Sequence, residues 1–137
     1  MPANTSPIFS LTPVTQWGAT AITTANTAKD GTGTVLLVYT AGANGSYVQR
    51  VRFRPSGTSV QTVARLFINN GSTNATALNN ILFDEITLSA ITLSETAAQP
   101  SFEIPMNFAL PAGYKLNITI GTTVAAGWYV STVGGDY

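Results

Sequence analysis

Two stretches of this chain alternate apolar and polar residues with a period of two, the period of a β-strand that lies with one face on a core and the other in water. From Phe102 to Leu110, the residues Phe102, Ile104, Met106, Phe108 and Leu110 share one side, and Glu103, Pro105, Asn107 and Ala109 share the other. From Tyr47 to Arg54, Tyr47, Gln49, Val51 and Phe53 face one way, opposite Val48, Arg50, Arg52 and Arg54. Such a strand cannot bury its apolar face alone, so a second layer must cover it. No sustained i, i+3, i+4 pattern of helix formers competes with this reading.

The rest of the chain extends the same pattern. Short strands are predicted at Ala19 to Ala25, Thr34 to Thr40, Val60 to Asn69, Tyr114 to Ile120 and Gly127 to Val133. The stretch Asn79 to Ser94 reads as a strand, a bend and a second strand, because Thr and Ile recur through Thr87, Ile91 and Thr92. Turn residues punctuate the series: Asp30-Gly31-Thr32-Gly33, the Asn44-Gly45 pair of a hairpin-like loop, Pro55-Ser56-Gly57, Asn69-Asn70-Gly71 and Pro111-Ala112-Gly113. Pro105 marks an edge strand or a bulge. Short strands at this spacing predict one all-β domain, a single antiparallel β-sandwich of jelly-roll type, over residues 17–137. Residues 1–16, with Pro2, Pro7 and Pro13, read as an extended N-terminal arm, since each proline removes a ladder donor. Val51, Phe53, Leu66, Ile68, Phe102, Ile104, Met106 and Phe108 are the expected core.

Composition narrows the chemistry. The 137 residues are 45% hydrophobic, enough for one domain with a substantial core. There is no histidine and no cysteine, and only 9% of the chain is charged. The side chains that most often serve as general bases, nucleophiles and transition-metal ligands are therefore missing, and the expectation is a protein that is not an enzyme and uses no cofactor or metal. Six basic and six acidic residues cancel to a net charge of zero, which gives no field to attract free nucleic acid or anionic lipid. The N-terminus lacks the pattern of an export signal, and no apolar run reaches the length of a membrane span, so synthesis in the cytoplasm is expected.

The row Arg50, Arg52, Arg54 is the densest charge feature. It can dock carboxylates of a partner protein, or it can be a solvated strand face paired to Asp84, Glu85 or Glu103 across the sheet, with Arg65 on a neighbouring strand. In the arm, Pro7, Ile8, Phe9 and Leu11 offer extended backbone and apolar anchors for contact with a partner or a neighbouring subunit. Asp84 with Glu85, and Glu95 with Glu103, are the carboxylate pairs that a glycosidase would need, but adjacent strand residues point to opposite faces. Asp30-Gly31-Thr32-Gly33 lacks the closely spaced carboxylates of a calcium loop. Trp17, Trp128, Tyr129 and Tyr137 suit a sugar platform, a core or an interface alike.

Several segments together carry a resemblance: Asn4-Thr5-Ser6-Pro7-Ile8-Phe9, the run from Thr24 to Val35, Ala41-Gly42-Ala43-Asn44-Gly45-Ser46, Arg65 to Gly71, Leu110-Pro111-Ala112-Gly113-Tyr114, and the ending Gly134-Gly135-Asp136-Tyr137. In these turns and strand patterns the chain resembles small virion proteins of tailed bacteriophages, of the capsid decoration or cement type. The resemblance implies a β-sandwich or jelly-roll unit, commonly a homotrimer. It would be made in the host cytoplasm and sit on the capsid exterior, where it binds the major capsid protein and stabilises the head without a cofactor. The alternative is a tail-fibre or host-glycan-binding module of a virion.

Overall fold

The computed structural model describes residues 10–137. These form eight strands: β1 (Thr12–Val14), β2 (Leu36–Thr40), β3 (Ser46–Pro55), β4 (Thr62–Asn69), β5 (Asn80–Leu88), β6 (Phe102–Leu110), β7 (Lys115–Ile120) and β8 (Trp128–Asp136). One turn of 3-10 helix, Ala77–Asn79, precedes β5. The strands build two antiparallel sheets, ordered β1-β8-β3-β6 and β2-β7-β4-β5, packed face to face as a β-sandwich.

The pairing is nested. β4 pairs with β5, β3 with β6, β2 with β7 and β1 with β8, so the chain runs out along four strands and returns along their partners. Folding this long ribbon over brings β8 beside β3 and β7 beside β4. Central strands then face each other across one apolar layer, with Val48, Val51 and Phe53 of β3 and Trp128 and Val130 of β8 on one side. Ala64 and Leu66 of β4 and Leu116, Ile118 and Ile120 of β7 lie on the other. Of the expected core, Val51, Phe53, Leu66, Ile104 and Met106 are buried, while Ile68, Phe102 and Phe108 pack partly exposed against its margin.

Bulges set which residues face inward. Val48 pairs with Gly134 and Arg50 with Val133, so Gln49 is an extra residue in β3. An extra residue inverts the alternation upstream of it. Val48 and Ser46 therefore point inward, correcting the sequence assignment of Tyr47 and Gln49 to the core face. A matching insertion in β6 lies between Phe108 and Pro105, where Asn107 takes a left-handed φ of 53° that Asn tolerates better than most residues. Both expectations for Pro105 hold, since β6 is an edge strand and the irregularity adjoins it.

Elsewhere the elements differ from the sequence reading in identifiable ways. Thr12–Val14 pairs with β8, and Gln16 O accepts from Thr132 N at 2.8 Å, so residues 10–16 belong to the sandwich rather than to a separate arm. Residues 1–9 lie outside the described part. The segment 17–25 is no strand: it bridges β8 at Trp17 and Ile22, then β7 at Ala25, crossing from one sheet to the other. Ala41 to Gly45 also passes between sheets, because β2 and β3 find their partners in different layers; the turn itself forms, with Gly45 N donating to Gly42 O at 3.0 Å. Asn80–Leu88 is one strand, not two, and its ambiguity in sequence reflects an edge position that leaves Ile81, Leu82 and Phe83 exposed. β8 continues through Gly134 and Gly135, where a side chain would collide with Tyr47 O and Ser10; these glycines permit close backbone approach instead of ending the strand.

One loop shapes the outer face of the second sheet. It leaves β7 at Asn26, whose N–H donates to Ile120 O at 2.8 Å, and reaches β5, where Asn80 Nδ2 donates to Asp30 O at 3.2 Å. Asn74 Nδ2 pins its middle through Gly31 O at 3.1 Å and Gly33 O at 2.8 Å. Phe67, outward by register, is thereby fully buried although it lies outside the main core. On the other flank the Gln16 amide joins the sheets, accepting from Thr40 N and donating to Thr40 O, each at 2.9 Å.

Phe53→Ala is expected to cost about 3–5 kcal/mol in urea unfolding, as for a fully buried aromatic ring. Phe108→Ala, at the open margin, should cost clearly less. Equal costs would show that the inward layer is not where these contacts place it.

Candidate functional site

The outer face of the first sheet is built from β3, β8 and β6. Downstream of the Gln49 bulge, Arg50, Arg52 and Arg54 all point outward, and each has a partner directly across the rung: Val133, Ser131 and Tyr129 on β8. Trp17 bridges Ser131 from the far side of β8, so the rung at Arg52 reads Trp17, Ser131, Arg52, Glu103 across the sheet. Trp17 is 68% exposed and Tyr129 58% exposed. Two solvent-exposed aromatics thus lie on the β8 side of the arginine row, at the rungs of Arg52 and Arg54.

The arginines are held but not neutralised one for one. Glu103 sits between two of them, 3.8 Å from Arg50 Nη1 and 3.7 Å from Arg52 Nε, with both sides of each pair well exposed. Arg54 Nη1 donates to Gln99 O at 2.8 Å and Arg52 Nη2 to Ser101 Oγ at 3.4 Å. Exposed pairs of this length contribute at most about 1 kcal/mol each, so they orient the guanidinium groups more than they stabilise the fold. Two of the three cations share one carboxylate and Arg54 pairs with none among the described residues, leaving the face positive within a chain of zero net charge. Trp, Tyr and Arg are the residues enriched where proteins bind proteins.

Other sequence candidates fall elsewhere. Arg65 lies on the second sheet, not beside the other three, with Nε 3.3 Å from Glu85 Oε2. Trp128 is fully buried and meets Phe102 edge to face at 5.7 Å, so it is core. Leu11 is 82% exposed beside β1, while Pro7, Ile8 and Phe9 lie outside the described residues. Asp84 and Glu85 occupy opposite faces of β5, as their adjacency requires. Among the described residues no cluster of three or more Asp or Glu forms a metal site. Asp30 is used within its own turn: its Oδ1 accepts from Thr32 Oγ1 at 2.6 Å and Thr32 N at 3.0 Å, and these hydrogen bonds hold its carboxyl below the usual range. The prominence of Trp17 and Tyr129 was not visible in the sequence, because it depends on which β8 residues face out and on an isolated bridge before the first long strand.

A polar cluster closes one end of the sandwich. Ser46 Oγ donates to Asp136 Oδ1 and accepts from Gly42 N, and Tyr39 lies fully buried beside them. Burial is the main cause that raises the Tyr39 phenol above its ordinary pKa of 10.0, and the Asp136 charge pushes the same way.

The chain matches no protein-family model and no curated protein sequence. Among the described residues no helix is long and apolar enough to cross a membrane.

The Tyr39 shift carries a sign. A raised folded-state pKa means that the native state holds this proton more tightly than the unfolded chain. The corresponding stability is complete below pH 10 and is lost as pH climbs beyond it. Tyrosinate absorbance should therefore include a late component above pH 10 that Tyr39→Phe removes; an unchanged titration in the variant would refute the assignment.

Proposed function

We propose that this chain is a virion structural protein of a tailed bacteriophage, a capsid decoration protein that binds the major capsid lattice from outside and stabilises the head. The observation that carries this reading is the outer face of the first sheet, where Trp17 and Tyr129 stand beside the row of Arg50, Arg52 and Arg54. Open and rich in anchoring residues, it suits a protein surface bearing carboxylates better than a substrate. Its action is binding, with no catalytic step and no cofactor. Assembly as a homotrimer would place three such faces on one particle, and simultaneous attachment multiplies weak contacts through effective concentration.

Architecture supports the same reading. We infer from the nested pairing, β1 with β8 through β4 with β5, that the sandwich is a jelly roll, a design that occurs in viral capsid proteins and in lectins. A binding unit that must endure on a particle also gains from a core without cysteine, since its stability is then independent of redox conditions.

Purified protein should bind undecorated heads to a saturating stoichiometry, and sedimentation should give a mass above that of a single 14.3 kDa chain. Trp17→Ala or Arg52→Ala is expected to weaken attachment at least about 30-fold, the size of an interface hot spot, while leaving the unfolding transition nearly unmoved. Unaltered attachment by both variants would exclude this face, and absence of any binding to heads would exclude the decoration role.

A further inference from the structure

The second sheet carries a groove that the docking face does not explain. Its volume is about 250 Å³, and Val35, Leu37, Lys115, Asn117 and the loop Asn69 to Asn74 line it. Asn117 is only 4% exposed, and its side-chain amide, which takes no partner among the described residues, keeps its remaining exposure at the groove. An amide whose donor and acceptor the fold leaves unused at a groove is free to meet a ligand or water there. Lys115, two residues earlier on β7, shares the face of Asn117 and forms no ion pair among the described residues.

The walls are built to stay put. Asn69, which pairs with Lys115 across the sheet, donates to Asn80 Oδ1 and accepts from Gly71 N, both at 2.8 Å. Asn79 Nδ2 holds Thr73 O at 2.9 Å, and Asn74 is committed to the loop at Gly31 and Gly33. Leu37 stands directly opposite Asn117 and is 44% exposed, giving one apolar wall. The neighbouring polar side chains are thus spent on structure, whereas Lys115 and Asn117 are left over.

We propose that this groove binds one sugar-acid unit, a pyranose ring bearing a carboxylate, of the uronic or sialic type. An ammonium group selects the carboxylate. The amide offers a donor and an acceptor, which a ring hydroxyl can meet at once. Residues two apart on a strand are separated by about 6.5 Å, a span suited to opposite sides of one ring. The C–H face of that ring packs on Leu37, and the small volume admits a single unit rather than a chain. This inference stands apart from the decoration reading, because the groove and the arginine face lie on opposite sheets.

Titration of the full chain by amide NMR tests it, with sodium glucuronate and N-acetylneuraminate as probes and glucose and acetate as controls. Either acid should give saturable shifts centred on residues 69–74 and 115–117, with glucose and acetate at least about tenfold weaker, since each lacks one half of the recognition. Lys115→Gln, a half-exposed change, should lower affinity for the acid at least about tenfold with the remaining spectrum intact. No saturable shift with either acid, acetate binding as tightly as the sugar acids, or indifference to Lys115→Gln would each overturn the proposal.

Discussion

Dehydration of the one apolar layer between β3 and β8 on one side and β4 and β7 on the other is the constraint on which the molecule depends. These four strands are the central pairs of their sheets, and their inward side chains, from Val48 and Phe53 to Ile118 and Trp128, are buried almost without exception. The hydrophobic effect has no direction, so by itself it would accept many arrangements. Nested antiparallel pairing selects one, since each half of the ribbon supplies one central strand to each sheet and neither sheet can form without the other half.

With the interior committed in this way, function falls to the outward residues, and the two outer faces have diverged. On the first sheet the outer face stays open, and the arginines of β3 stand beside Trp17 at the Arg52 rung and Tyr129 at the Arg54 rung. On the second, the loop between Asn26 and β2 lies across the strands, and the loop Asn69 to Asn74 bounds a groove. In the proposals above, one face meets a broad protein surface and the other a small molecule, and the difference in their outlines follows from where these loops run.

The strand content and much of the core were legible in the sequence because period-two alternation is a local property. Phe102 to Leu110 kept its assigned faces even across an irregularity. Tyr47 and Gln49 did not, because an inserted residue leaves no mark on composition while reversing every side chain before it. Asn44-Gly45 announced a turn correctly but could not reveal that the strands on either side join different sheets, which is a matter of long-range pairing. Gly134 and Gly135 looked like a terminus because glycine usually weakens strands; only the neighbouring backbones give the reason for their presence. The arginine row was legible as a face, yet Trp17 joined it through one bridge with no periodic signal, and the isolation of Asn117 depends on partners distant in the chain.

The treatment of the sheet edges bears on how copies of this protein can meet. β1 is three residues long and contains Pro13; β2 is short and bulged at Val38; β6 carries Pro105 and the kink at Asn107. β5, the longest apolar edge, has a bulge at Phe83 followed by Asp84, a carboxylate that shares the inward face with Leu66. Every margin thus contains a feature that interrupts a run of free N–H and C=O groups. Open-ended growth by strand addition, the route to filaments, is discouraged at all four. Among the described residues the broad faces, not the strand edges, are the surfaces on which copies could meet without extending a sheet.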